Sequence, residues 1–341
     1  MYYVVAPQAP LRDRVATVFQ KTGTVRNGDQ VEVLEKSRRW IRVRTRSGEE
    51  GWIEQYNLIG QNVFDAFQKL YQESASKPAQ TRAILRNDFR LHITPGRDTD
   101  KLFLLKEGSK LELLERATVP RSGAIAQAEA PAEKTSSVTT EENKAAAKTK
   151  AVKKKGNVAK AKKTEEMLPD AAMDDWWLAR DDQHHAGWVQ GRYLDIDIPL
   201  EVAQYAEGQR IVAFFVLKEV EDLQADRPDK RVPYYLVLLT PPRDGYPFDY
   251  DQIRLFSWNV KKHRYETAYR ERNLLGLLPV SIGKEDFGKE GVLPAFILHV
   301  NEDGKTVERK YKLNGVILRR VTEPAEQQKE AAARPGSPGS H

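Results

Sequence analysis

An octet that begins with Gly-Trp and ends with Leu occurs twice in this chain, as GWIEQYNL and as GWVQGRYL. An offset of 136 residues superposes the two octets and places Trp40 on Trp176, whereas upstream an offset of 80 residues places Gly28 on Gly108. Both aligned blocks run without a gap, which indicates a repeated module. The two offsets differ by 56 residues, so the second copy carries an insertion of that length.

The repeated stretch has the alternation of short antiparallel strands. In VEVLEKSRRWIRVRTRSGEEGWI the apolar residues Val31 and Val33, then Ile41 and Val43, occur at every second position, and a glycine-containing turn precedes Trp52. Such alternation predicts half-buried strands joined by tight turns. A chain of about 60 residues built this way avoids exposed sheet edges by closing into a small barrel.

The motifs themselves resemble a known family. NGDQVEVLE, RRWIRVRT and GEEGWI, followed by a closing Leu, resemble the bacterial Src-homology-3-like (SH3b) pattern. In the second copy, DDWWLAR followed by GWV is similar to the double-Trp strand of the eukaryotic form. The resemblance covers about residues 3–59 and 82–196 and implies two SH3-like barrels.

The remaining segments lead to an all-β prediction. The predicted architecture is two small SH3-like barrels linked by a short helix, followed by a β-sandwich or barrel domain. Apolar residues of NVFDAFQKLYQ recur on one helical face, and downstream IRLFSWNVKKHRYETAYRE and NEDGKTV are typical of hairpins. The predicted organisation is barrel 1 at 1–60, linker helix at 61–79, barrel 2 at 80–196 with a disordered Lys/Ala-rich insert at 117–173, a β-rich C-terminal domain at 197–322, and a disordered tail at 323–341.

The insert has two interpretations. AKTKAVKKKGNVAKAKK is rich in lysine and has almost no large apolar residue, so its composition predicts a solvated tether. The alternative is an arm attracted to a polyanion. No aromatic residue in the run could stack on bases, which argues against specific single-stranded nucleic-acid binding.

Several function classes are excluded or disfavoured. The chain has no cysteine, so disulfides and thiolate chemistry are excluded. It contains no HExxH, GxSxG or P-loop motif, and no apolar run long enough for a membrane span. His184 and His185 are interpreted as a solvated turn, and Asp249 and Asp251 as a turn and strand cap. We therefore predict no catalytic residue, metal or cofactor and expect a protein that is not an enzyme.

Candidate ligand-binding residues follow from the strand alternation. In the first copy Ile41 and Val43 point inward, so Trp40, Arg42 and Arg44 share the outer face. The resemblance implies that an outward Trp at this place contacts ligand.

The second copy offers a matching set. Alternation places Trp177 inside and Trp176 and Arg180 outside, and Tyr193 matches the family's closing ligand Tyr. Core packing is expected instead for Trp52 and Trp188. In both copies the family's Pro after the Gly-aromatic-aliphatic triplet is replaced, which argues against a polyproline ligand.

The resemblance implies a non-catalytic binding or scaffold protein of the bacterial cell envelope. Its expected partner is peptidoglycan or a cell-surface polymer, or a protein or peptide ligand, and nucleic acid is disfavoured. The expected location is the envelope or periplasm, with a signal or lipid-attachment segment absent from these residues. Two alternatives stay open: a hydrolase in the C-terminal domain, which a concave pocket with clustered carboxylates would indicate, and polyanion binding through the insert.

Overall fold

The computed structural model describes residues 1–121 and 172–321. These residues form three antiparallel sheets of seven strands each. Two helices occur in the described part of the chain, α1 (Gln61–Ala75) and the single turn α2 (Leu200–Ala203). The predicted all-β fold class is confirmed.

The first sheet has the strand order β3-β2-β6-β5-β4-β1-β7. Its strands are β1 (Tyr2–Val4), β2 (Gln8–Arg12), β3 (Lys21–Arg26), β4 (Gln30–Ser37), β5 (Trp40–Thr45), β6 (Glu50–Glu54) and β7 (Leu58–Gly60). A short 3-10 turn, Gln55–Asn57, joins the last two strands. Ile41 and Val43, predicted to point inward, are buried in one apolar cluster with Val31, Leu11 and Ile53, and the partly buried Val33 packs against it.

The second sheet has the order β10-β9-β13-β12-β11-β8-β14, which repeats the order of the first sheet. Its strands are β8 (Thr81–Leu85), β9 (Phe89–His92), β10 (Lys101–Leu105), β11 (Lys110–Pro120), β12 (Met173–Arg180), β13 (Ala186–Gln190) and β14 (Leu194–Ile196).

The pairing registers of the two sheets also agree. Arg12 lies opposite Trp52 in the first sheet, and His92 lies opposite Trp188 in the second. The β4–β5 ladder shifts register after Val33, and the β11–β12 ladder shifts at the equivalent place. The two sheets therefore share the strand order, the pairing register and the position of the register shift, at residues related by the two sequence offsets.

The glycine of the repeated octet is explained by close packing. A Cβ atom at Gly51 would lie 2.7 Å from the Cβ of Leu11, and one at Gly187 would lie 2.7 Å from the Cβ of Leu91. Either side chain would need the neighbouring strand to move away. Glycine is therefore required at both positions for the same reason.

Both ends of the predicted insert, 117–173, lie within the β11–β12 ladder. Pro120 pairs with Met173, and the N–H of Arg121 donates to the carbonyl of Ala172 at 2.8 Å. Residues 117–121 and 172–173 thus belong to a hairpin, contrary to the expectation of disorder across 117–173. The remaining insert residues and the predicted tail lie outside the described residues.

Helix α1 and one asparagine connect the first two sheets. The Phe64 ring stacks on Tyr3 with ring centroids 3.8 Å apart, and Phe67 contacts the edge of Phe103 at 5.6 Å. The Asn27 side chain donates to the carbonyl of Leu102 and accepts from the N–H of Leu104, each at 2.8 Å. The predicted apolar stripe of the helix therefore packs between the two sheets.

The third sheet is a meander in which each strand pairs with the next along the chain. Its strands are β15 (Arg210–Glu221), β16 (Arg231–Thr240), β17 (Tyr250–Asn259), β18 (Arg264–Asp286), β19 (Val292–Glu302), β20 (Lys305–Asn314) and β21 (Ile317–Arg320). Strand β18 has 23 residues, and it pairs with β17 through its first half and with β19 through its second half. Gly276 belongs to both ladders, and a Cβ atom there would lie 2.1 Å from the Tyr250 ring. Gly276 therefore lies where β18 changes its pairing partner from β17 to β19.

The second and third sheets are joined through buried contacts. The N–H of Val280 donates to the Gln80 side chain at 2.7 Å, and Arg116 donates to the carbonyl of Phe248 at 2.9 Å. Residues of both sheets belong to one continuous apolar cluster. On its other face β16 packs against a second cluster, to which Val202 of α2 contributes.

Candidate ligand-binding surface of the N-terminal module

The outer face of the first sheet carries aromatic and charged side chains. Trp40 lies opposite Glu54, and Arg42 lies opposite Trp52, in the β5–β6 ladder. Residues directly opposite each other in an antiparallel ladder project to the same face. Because the neighbouring pair Ile41 and Ile53 is buried, these four side chains point away from the core.

Arg12 lies at the centre of this face. Its guanidinium carbon is 4.5 Å from the centre of the Trp40 ring and 4.1 Å from that of Phe19. Its carboxylate contact is long, 4.0 Å to Glu54. The guanidinium is therefore held between two rings by cation–π attraction, and Glu54 is its one carboxylate contact among the residues that the structure describes. We call Arg12, Phe19, Trp40, Trp52 and Tyr56 the Arg12 surface.

The rim of the Arg12 surface exposes large apolar side chains. Tyr56 is 77% exposed, and Val18, next to Phe19 in the β2–β3 loop, is 84% exposed. A hydrogen bond to Glu54 raises the pKa of the Tyr56 hydroxyl, so Tyr56 stays neutral at physiological pH. Exposed aromatic side chains beside a cation are typical of a recognition surface.

The predicted ligand residues Arg42 and Arg44 lie beside this surface, but their charges are compensated. Arg42 contacts Glu50 at 3.1 Å, and Arg44 contacts the same carboxylate at 2.8 Å and Glu32 at 3.3 Å. The Arg44 hydrogen bond lowers the pKa of Glu50. These two arginines orient each other and Glu50, whereas Arg12, which the strand pattern did not single out, is the cation among the rings. Arg12 is the last residue of β2 and directly follows the buried Leu11, and this position was the available signal.

In the second sheet the equivalent face is covered by other side chains. Trp176 projects to the outer face, as predicted, but only 1% of it is exposed. It belongs to a buried cluster with Leu114, Leu178 and Trp188, against which Leu70 of α1 packs. The His92 ring lies 4.9 Å from Trp176, and burial lowers the pKa of His92 to about 4. The expectation that Trp176 is accessible to ligand is therefore wrong, because other elements cover this face.

Arg180 and Tyr193 have structural contacts of their own. Arg180 donates to the carbonyl of Ser74 at 2.9 Å and contacts Glu112 at 2.8 Å, so it holds the end of α1 against β12. Tyr193 is half-buried, with its ring 4.9 Å from that of Phe89. These contacts do not form an open site with Trp176.

The two octet tryptophans differ in the same way. Trp188 is buried, as predicted from core packing. Trp52 is half-buried on the outer face and lies in the Arg12 surface. The core assignment of Trp52 is therefore wrong, since no helix within residues 1–121 and 172–321 packs over this face of the first sheet.

Of the two carboxylates considered in the sequence, Asp249 is paired with a cation, whereas the Oδ1 atom of Asp251 is buried without a partner among the described residues. Asp249 contacts Arg116 at 3.0 Å, and Asp175 contacts the same arginine at 2.7 Å. Burial raises the pKa of Asp249 despite this contact. Within residues 1–121 and 172–321, no group of three or more His, Cys, Asp or Glu side chains could hold a metal ion. His185 contacts Asp181 at 2.9 Å and its ring stacks on Phe103.

The part of the chain that matches a known family includes the residues of the Arg12 surface. Residues 9–59 match the bacterial SH3 domain family. The bacterial SH3 domain thus includes β2 to β6, which carry Arg12, Phe19, Trp40 and Trp52. The match is limited to this part of the chain.

Other comparisons add little. No curated protein matches the chain. Among solved structures, an NlpC/P60 family protein from Bacillus cereus ATCC 10987 aligns with 80% of this chain and 99% of its own, with 8% identity and a TM-score of 0.22. This likeness is too low to indicate a shared fold. No helix among the described residues is long and apolar enough to cross a membrane.

Proposed function

We propose that this protein is a non-catalytic binding or scaffold protein of the bacterial cell envelope, and that its bacterial SH3 domain binds ligand through the Arg12 surface. The observation that carries the proposal is the Arg12 guanidinium, held between the Phe19 and Trp40 rings on an open face. Peptidoglycan, another cell-surface polymer, or a protein or peptide segment is the partner class that bacterial SH3 domains suggest.

The chemistry of the surface suits such partners. Flat aromatic faces pack against sugar rings or peptide planes, and an arginine recognises carboxylates through paired donors. Arg38 and Arg39 are exposed in the turn directly before Trp40, so the Arg12 surface favours ligands that carry negative charge. Binding through these cations weakens as salt increases.

Residues 80–196 are, in this proposal, a second copy of the module with a different task. Its strand order and register support the assignment. Its equivalent face is filled by Trp176 and closed by α1, so the second copy holds the N-terminal domain in place and leaves ligand binding to the first. The protein would act in the cell envelope or periplasm, which fractionation of cells that produce the natural gene product tests directly.

A pull-down of the full chain on purified wall sacculi tests the proposed function. Trp40→Ala and Arg12→Met should each weaken binding about tenfold or more, because buried aromatic and arginine contacts dominate such interfaces. Arg26→Met, which removes an exposed arginine at the other end of the β2–β3 ladder, is the matched control and should bind like the wild type.

Parallel arms separate the alternatives. One pull-down uses DNA in place of the sacculi, and another uses a panel of proline-rich peptides. Retention on DNA that Arg12→Met leaves unchanged would assign binding to the lysine-rich insert instead. Release of soluble wall fragments by the wild-type protein would indicate a hydrolase and contradict the non-catalytic assignment.

A further inference from the structure

A cleft of about 330 Å³ lies where the second sheet meets the start of the third. Strand β14, the segment after α2 and the first residues of β15 form its walls. These walls are mainly apolar, with Leu194, Ile196, Ala206 and Ile211 among the lining residues. The volume is at the lower end of the range of small-molecule sites, roughly 300–1,000 Å³.

One polar side chain of the cleft lacks a partner. Gln209 lines the cleft, and its Oε1 atom is buried with no hydrogen-bond partner among residues 1–121 and 172–321. A buried carbonyl oxygen left unpaired is unfavourable, so a ligand that supplies an N–H donor gains from pairing with it.

The charged groups around the cleft are already compensated. Arg86 forms an ion pair with Asp195, and Arg210 contacts Asp175 at 3.1 Å and Asp244 at 2.7 Å. A charged ligand would have to displace one of these partners and leave a carboxylate or guanidinium uncompensated. The cleft is therefore suited to an uncharged ligand.

We propose that this cleft is a second binding site, and that it takes a small uncharged ligand with at least one amide N–H and a branched apolar body. The ligand amide pairs with the Gln209 side chain, and the apolar body contacts Leu194, Ala206 and Ile211. The site is separate from the Arg12 surface, so this inference does not depend on the proposed function.

An amide of this kind can come from an internal peptide segment or from an acetamido group on a sugar. The apolar walls distinguish the two sources, since a sugar carries hydroxyl groups that would lose their hydrogen bonds to water on entering the cleft. The peptide source is the one that the lining favours.

The test is a titration of the ¹⁵N-labelled full chain with N-acetyl-L-leucinamide, followed by amide chemical shifts. Shifts should concentrate in β14 and at the start of β15. N-acetyl-L-leucine, which differs by a carboxylate, and N-acetylglucosamine should each bind about tenfold more weakly or worse. Equal or tighter binding of either compound would overturn the proposed ligand class, and no shifts at the cleft with the leucinamide would overturn the site.

Variants locate the interaction. Gln209→Leu should weaken leucinamide binding about tenfold, as expected when a buried polar contact is lost. Ala206→Trp should fill the cleft and abolish binding. Gln204→Leu makes the same change at an exposed glutamine of the same segment and should bind like the wild type. Wild-type affinity in Gln209→Leu would contradict the proposal even if Ala206→Trp failed to fold.

Discussion

At the residue scale, Trp40 and Trp176 occupy equivalent positions and have different surroundings. Trp40 pairs with Glu54 across the β5–β6 ladder, and Trp176 pairs with Gln190 across β12–β13. The first ring is half-buried beneath Arg12, whereas the second is enclosed by apolar neighbours. The same substitution should therefore destabilise the protein much more at Trp176 than at Trp40.

Trp176→Ala should lower the free energy of unfolding by about 3–5 kcal/mol, because it leaves a cavity in a closed cluster. Trp40→Ala should cost about 1 kcal/mol or less, since mainly a cation–π contact is lost. Urea unfolding followed by circular dichroism measures both. Similar losses for the two variants would mean that Trp40 also belongs to a core.

This pair also shows what strand alternation can predict. It correctly gives the face to which Trp40 and Trp176 point, because side chains alternate along any strand. It does not tell whether another element covers that face. Leu70 of α1, which packs against the Trp176 cluster, is more than a hundred residues away in sequence. The sequence therefore predicted the direction of both tryptophans and not the closure of the face around Trp176.

Asp251 provides a pH test. Burial raises its pKa to about 6, and its Oδ1 atom is buried without a partner among the described residues. The folded pKa lies above the unfolded value of 3.8, so the folded state keeps its proton longer as pH rises. Ionisation of Asp251 should therefore reduce stability between about pH 4 and pH 6, by at most about 3 kcal/mol.

Asp251→Asn removes this titration. The variant should lack the loss of stability between about pH 4 and pH 6 and should be more stable than the wild type at pH 7. Unfolding free energies of both proteins across this pH range give the comparison. If the difference in unfolding free energy between the two proteins were the same at every pH, the pKa of Asp251 would not be raised.

At the element scale, hairpins were the most predictable features. The NEDGKTV stretch forms the β19–β20 hairpin, in which Glu302 pairs with Lys305 and Asp303 and Gly304 both have positive φ. Asp-Gly favours this turn because both central residues must adopt that conformation. The length of β18 could not be predicted, since Gly276 and Pro279 are typical strand breakers and tertiary packing keeps them within the strand.

Helix α1 is held by a contact that the sequence did not reveal. Arg180 donates to carbonyls at the helix end, including those of Ser74 and Lys77. Arg180→Met should cost about 2 kcal/mol, as expected for hydrogen bonds to a charged group. Hydrogen exchange of α1 amides should accelerate relative to the wild type.

Arg82→Met is the matched control for this prediction. Arg82 contacts the same Glu112, at 3.9 Å, but it is largely exposed and does not reach the helix. Exchange in α1 should therefore stay at the wild-type rate. Equal acceleration in both variants would assign the effect to Glu112 and not to the helix end.

At the scale of the whole molecule, Arg116 joins the second and third sheets. Only 5% of its side chain is exposed, and it contacts Asp175 at 2.7 Å and Asp249 at 3.0 Å. Asp175 keeps a second cation, Arg210, whereas the other partner of the Asp249 carboxylate in the described part of the chain is the N–H of Leu278. Loss of Arg116 would leave Asp249 buried without a counter-charge.

Arg116→Met should therefore cost about 3–5 kcal/mol, the usual loss when one partner of a buried pair is removed. In calorimetry the third sheet should unfold in a transition separate from that of the second. The double variant Arg116→Met/Asp249→Asn should recover part of the loss, because it removes the stranded charge as well. Lowering the pH should raise the free energy of unfolding of the single variant and not that of the double variant. Burial already raises the pKa of Asp249, and protonation neutralises its carboxylate. If the double variant were as unstable as the single one at every pH, the interface would depend on the shape of Arg116 and not on its charge.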